Sequence, residues 1–173
     1  MNDIIDNLKF QSVSSDIFEE AIKELGYHLG MISQRPEKEY AKGPDNLWMT
    51  FDNNNFVIEC KNEATVPTIT KKYCNQLNGS IEWFKNSYDP SLQLVPIMVH
   101  PSVCFEKAAS PNKNIRVIDE ERLNLLKQQF KSFCEEIGES EFDIKSIEKS
   151  LHTHKLDTRN FPFVFTSDFR TNK

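Results

Sequence analysis

Apolar side chains along the chain alternate between helical and strand spacing. Residues 14–26 put Phe18, Ala21, Ile22 and Leu25 on one helical face, with Ser14, Ser15 or Asp16 able to cap its start. Gly26 stands where a helix stops. Tyr27 to Gln34 is short and partly β-like, Pro36 ends it, and a charged loop from Arg35 to Lys42 follows. Leu47–Phe51 and Phe56–Lys61 alternate as two strands joined by Asp52-Asn53-Asn54-Asn55, residues that tolerate left-handed backbone and bond their own turn. After a loop at 62–66, Ile69, Tyr73, Leu77, Ile81 and Phe84 trace one stripe of a helix over Pro67–Tyr88, with Pro67 in its first turn. Gly79 weakens the middle of that helix by about 1 kcal/mol relative to alanine.

Leu92–Val99 reads as a buried strand, 101–113 as an irregular loop exposed around Ser110–Lys113, and Ile115–Ile118 as a short strand. Asp119-Glu120-Glu121 opens a helix that carries Leu123, Leu126, Phe130, Phe133 and Ile137 and stops at Gly138. A shorter helix is expected over Asp143–His152, and the apolar run Phe161–Thr166 fits an edge strand or a packed strap. The order helix, β-meander, long helix, strand, strand, helix, helix predicts an α/β sandwich. No repeat or low-complexity linker divides it, so 173 residues read as one domain.

Composition narrows the function classes. No apolar run approaches the length of a bilayer span, and the start Met-Asn-Asp-Ile-Ile-Asp is acidic where a signal peptide is basic, which predicts a cytoplasmic chain. Cys60, Cys74, Cys104 and Cys134 lie far apart and read as buried small hydrophobes, not as disulfides or a zinc knuckle. Net charge is -5 and pI about 5.4, which argues against a surface that coats nucleic acid unaided. A local cleft, helped by another domain, remains compatible with that charge.

The residues with chemistry cluster around the hairpin. Asp45 follows the Gly43-Pro44 break, and Val57, Glu59 and Lys61 share one face of the second strand. A four-residue turn sets Trp48 opposite Glu59 and Asn46 opposite Lys61, leaving Asp45 on the wrong face. A turn of three or five residues, one bulge, or an Asp45 turned in ahead of the ladder brings it to Glu59 and Lys61. Two carboxylates and an ammonium so gathered can hold Mg²⁺ or Mn²⁺, with the Cys60 carbonyl as a further oxygen donor, and orient a water beside a phosphate. Spacing alone equally allows a solvated strand face, with Asp45 a turn residue.

Pro44-Asp45 followed by Glu59-Cys60-Lys61 resembles the Pro-Asp…(Asp/Glu)-x-Lys motif of the restriction-endonuclease-like nuclease superfamily. The order helix, three-strand meander, helix, strand over about residues 14–118 is similar to that superfamily's core, with 119–173 as an added strand and helices. The wording Gly-Pro-Asp-Asn-Leu-Trp…Ile-Glu-Cys-Lys-Asn-Glu further resembles nuclease-like domains appended to bacterial superfamily-2 helicases. The resemblance implies a Mg²⁺- or Mn²⁺-dependent endonuclease acting on nucleic acid, DNA first, in phage defence or DNA processing, with a helicase or a second copy as partner. It implies Asp45 and Glu59 as metal ligands, Lys61 as the water-positioning residue, and Glu19 (or its neighbour Glu20) as a supporting acid of the first helix. It also implies Gln76, with Lys72 four residues before it, as a face turned to the cleft; an exposed helix face explains the pair equally. Arg35, Lys38, Lys42, Lys71 and Lys72 are candidate phosphate contacts. Between Met31 and Lys72, however, six basic side chains meet six acidic ones, so affinity must come from the metal and from partners. The alternative is a catalytically silent module of this fold that docks nucleic acid or protein.

Other candidates are weaker. His152 and His154 have no third ligand near in sequence and read as surface histidines. His100, ending a buried strand, reads as structural before it reads as cleft-lining. No cysteine sits in a nucleophile motif, and no Gly-rich phosphate loop is present. Trp83-Phe84 reads as core more readily than as a stacking platform.

Overall fold

In the computed structural model, which describes residues 2–139 and 143–172, the chain is an α/β fold around a mixed six-stranded sheet. The elements in order are α1 (Asn2–Asn7), α2 (Ser15–His28), β1 (Ile32–Gln34), α3 (Pro36–Tyr40), β2 (Asn46–Met49), β3 (Asn54–Cys60) and α4 (Lys71–Ser87). They continue as β4 (Gln93–Val99), β5 (Cys104–Phe105), β6 (Arg116–Ile118), α5 (Glu120–Glu139), α6 (Ile144–Thr153), α7 (Phe161–Val164), β7 (Ser167–Asp168) and β8 (Arg170–Thr171). The sheet order is β1-β2-β3-β4-β6-β7; β1, β2 and β3 form an antiparallel meander, and β4 and β6 then run parallel to β3. The antiparallel β7 closes the far edge, while β5 and β8 pair separately. Among the described residues no helix is long and apolar enough to cross a membrane.

Alternation along β2 and β3 sends side chains to two different cores. Trp48, Phe56, Ile58 and Cys60 face α2, α5 and α7, where Phe18, Leu25, Phe130 and Phe161 lie buried. Leu47 and Val57 face α4, where Cys74, Leu77, Ile81 and Phe84 cover them. Most residues of the predicted stripes are buried; Tyr73 and Ile137 are half-buried, and Ile69 lies before α4.

Several boundaries differ from the sequence expectation, each for a local reason. Gly26 does not end α2, which runs on to His28. It is glycine because a Cβ there would lie 2.3 Å from Trp48 Nε1. The expected loop 35–42 contains helix α3, started by buried Pro36 and closed by left-handed Ala41 (φ 57°). Helix α4 starts at Lys71, not Pro67, because Thr70 caps it and Ile69 bridges to Phe105 instead. The expected irregular loop 101–113 thereby contains β5. Phe51 is not a strand residue; it sits in the turn, 92% exposed. The tail, expected as an edge strand or a packed strap, is the packed helix α7 with Phe161 and Phe165 buried and β7 following it, and α1 precedes α2. Cys60 and Cys74 are buried as expected, whereas Cys104 and Cys134 are half-buried.

Candidate active site

The turn decides the site. Asn46 pairs with Ile58, Leu47 with Val57 and Trp48 with Phe56, so the reversal takes three residues, 51–53, rather than four. Asn53 adopts left-handed backbone (φ 65°), the conformation that closes a three-residue hairpin loop. Thr50 Oγ1 accepts the Asn54 N–H at 3.0 Å, and Asn55 Oδ1 accepts the Thr50 N–H at 3.0 Å, so side chains take over the end of the ladder. Continued by one pair, this register sets Asp45 opposite Glu59, on the α4 face. The parity condition stated from sequence is met by its odd-numbered case.

Asp45 and Glu59 are both buried, and Lys61 bridges them. Its Nζ donates to Asp45 Oδ2 at 3.1 Å and to Glu59 Oε2 at 3.0 Å. Asp45 Oδ2 also accepts the Cys60 N–H at 2.7 Å, and Glu59 Oε1 accepts the Ser80 hydroxyl at 2.7 Å. The Tyr73 ring lies 5.8 Å from Lys61 Nζ, on the side toward α4. The Cys60 thiol turns to the opposite core, near Asn46 Oδ1.

Charges in this space hold one another off their ordinary titration. Burial pushes Asp45 up, but the Lys61 ammonium, the Glu37 carboxyl and the Cys60 N–H outweigh it and hold its pKa below the usual range. Burial and then the charge of Asp45 push Glu59 up to about 7, against the pull of Lys61 and Ser80. Burial opposes the ammonium of Lys61, yet Glu59 and Asp45 raise its pKa. Glu37, hydrogen-bonded to Asp45 and partly buried, is raised to about 7. Glu37 and Glu59 are thus both raised toward neutrality, while Asp45 is held below the usual range.

The remaining predicted residues fall in three groups. Gln76 is at the site: it lines a cleft of about 210 Å³ together with Glu37, Gly43, Glu59, Asn75, Gly79, Ser80 and Trp83. Glu19 is beside the site: burial and then the charge of Asp45 raise its pKa, and its carboxylate is ion-paired with Arg35. Glu20 turns to Lys23 and Arg35 instead. Lys42, Lys71 and Lys72 are exposed, and none has an ion-pair partner among the described residues. Arg35 is a correction: its side chain is buried among Asp16, Glu19 and Glu20, so it joins α2 to α3 and cannot meet a phosphate. Lys38 is held by Asp16.

His100 is fully buried beside Lys61 in the β3–β4 register, with Nδ1 accepting the Ser102 N–H at 2.9 Å. Its Nε2 has no partner among the described residues, and burial lowers its pKa to about 4. His154 bonds Gln129 and Glu136, while His152 lies against Asp157.

Glu37, Ser80 and Tyr73 were not anticipated. Glu37 belongs to a segment read as loop, and its N–H bonds Pro44 O at 3.1 Å, which ties α3 to the residue before Asp45. Gln76, Ser80 and Trp83 follow helical spacing, a second stripe beside the apolar one that includes Tyr73, which marks the α4 face turned to the site.

Among the described residues no three His, Cys, Asp or Glu side chains are grouped to hold a metal ion by themselves. Mg²⁺ commonly binds through one or two carboxylates, with waters and substrate phosphate completing the shell, and Asp45 with Glu59 supplies such a hard-oxygen pair. The donor chemistry fits. No family model, curated protein or solved structure matches the chain.

Proposed function

We propose that the chain is a metal-dependent nuclease that hydrolyses phosphodiester bonds of DNA, built on a restriction-endonuclease-like core. The observation that carries this reading is the bridge from Lys61 to both Asp45 and Glu59, two buried carboxylates brought face to face by a three-residue turn. A buried acid–ammonium triad contributes little net stability compared with apolar packing, so its presence at a cleft favours a chemical use. Asp45 and Glu59 would hold Mg²⁺ or Mn²⁺, which when bound supplies Lewis acidity and a water of lowered pKa. Lys61 would donate to a phosphate oxygen and orient the attacking water, and Ser80 donates to the second oxygen of Glu59 at 2.7 Å. Gln76, at the cleft rim, can hydrogen-bond the substrate, and Lys42, Lys71 and Lys72 can meet flanking phosphates. A helicase partner and a role in phage defence or DNA processing rest on the resemblance of Gly43–Glu63 to helicase-appended nucleases.

The test is cleavage of plasmid and single-stranded DNA with Mg²⁺ or Mn²⁺, alongside thermal unfolding. Wild type is expected to cut, and Asp45→Ala and Lys61→Ala are expected to abolish cutting. Saturating metal should raise the unfolding temperature by about 5–10 °C at a hundredfold excess over Kd, and Asp45→Ala should remove that rise. Cleavage that survives both substitutions would place the activity elsewhere. The net charge of -5 favours the rival reading, a silent docking module, which predicts DNA binding or partner capture with no cutting by wild type.

A further inference from the structure

We infer, on the basis of that reading, that the substrate is taken as an unpaired single strand lying along α4. The reacting side chains are recessed: Asp45 is 6% exposed, Glu59 4% and Lys61 12%. Glu59 sits in a cleft of about 210 Å³ walled on one side by Glu37 and Gly43 and on the other by Gln76, Gly79, Ser80 and Trp83. The walls meet at one end, where the Gly43 backbone packs so closely on Trp83 that a Cβ would lie 2.9 Å from the indole. A scissile phosphate that enters this space meets Glu59, whose Oε2 is 3.0 Å from Lys61 Nζ.

Paired DNA cannot easily present it. A duplex is stiff over the few nucleotides that a cleft of this size spans, so one phosphate reaches the floor only if the helix bends or opens. A single strand bows at low cost and slots its backbone in. The free ammoniums suit such a path. Lys71 and Lys72 open α4, and Trp83 lies about 16 Å further along that helix, next to Gly43 and therefore near Lys42. Lys71 and Lys72 thus stand at the start of α4 and Lys42 near Trp83 toward its end, spread along the helix and not gathered in one patch.

The test uses one labelled sequence in three forms, incubated with the whole chain and Mn²⁺: a single strand, a fully paired duplex, and an unpaired arm extending from a duplex. The strand and the arm should be cut at least about tenfold faster than the paired duplex. Single-strand affinity should fall with log salt at a slope of about -2, and Lys71→Ala/Lys72→Ala should bring that slope to about -0.7. A paired duplex cut as fast as the single strand overturns the inference and leaves the nuclease reading standing. Failure to cut any of the three overturns the nuclease reading, and the inference falls with it.

Discussion

Asp45 and Lys61 are sixteen residues apart in the chain, yet the Lys61 ammonium stands 3.1 Å from Asp45 Oδ2. It is the only positive charge within hydrogen-bond distance of either Asp45 or Glu59 among the described residues. Lys61→Met should therefore strand two buried carboxylates, at a cost of about 3–5 kcal/mol at neutral pH. The loss should shrink as pH falls toward 5, because the stranded acids can then protonate. Urea unfolding at pH 5 and pH 8 measures both effects; a loss under about 1 kcal/mol at pH 8 would mean that the bridge does not neutralise the site.

Glu59 predicts the pH dependence of the wild-type fold without metal. Its carboxyl is raised from 4.5 to about 7, so between those values the folded state holds a proton that the unfolded state has released. The stability from this group is complete below about pH 4.5 and is lost as pH rises through 7, a change of roughly 3 kcal/mol at most. Asp45 works in the opposite sense: its pKa is lowered, so its contribution is present above pH 3.8 and is lost only as pH falls through the lower folded value. Glu59→Gln should reduce the slope between pH 5 and 7, leaving the part that Glu37, also raised to about 7, contributes. An unchanged slope in the variant would assign it to another group.

Two helix glycines should respond with opposite signs. Gly26→Ala forces a methyl to within 2.3 Å of Trp48 Nε1 and should destabilise by about 1–3 kcal/mol. At Gly79 a Cβ meets nothing within 4 Å, so Gly79→Ala should stabilise by about 1 kcal/mol. Denaturant midpoints of the two variants decide the point, and equal shifts would contradict the packing described.

The apolar stripes of α2, α4 and α5 and the two hairpin strands were legible because burial repeats at helical or strand period. Asp45, Glu59 and Lys61 could be singled out by residue type, but their meeting depended on one number, the turn length. That number is set by side chains that alternation does not report. Thr50 and Asn55 cap the ladder, and Asn53 takes left-handed backbone. Glu37 was hidden because a five-residue helix is too short to show a period. Arg35 looked like a phosphate ligand because sequence separates it from Asp16, Glu19 and Glu20, which the fold gathers around it. Gly26 resembled a helix stop because its close contact with Trp48 is tertiary.

Phe161 packs edge-on against both Trp48 and Phe56, at 5.4 and 5.5 Å between ring centres. The hairpin that carries the carboxylates thus has its far face sealed by a ring made roughly 105 residues after Phe56, which at about 5–20 residues per second takes about 5–20 s of synthesis. During that interval Trp48 and Phe56 lack their covering aromatic, and a nascent chain in this state offers chaperones an apolar strand pair to bind. A ribosome-bound fragment ending before α7 should therefore expose Trp48 and Phe56 on the face behind the carboxylates.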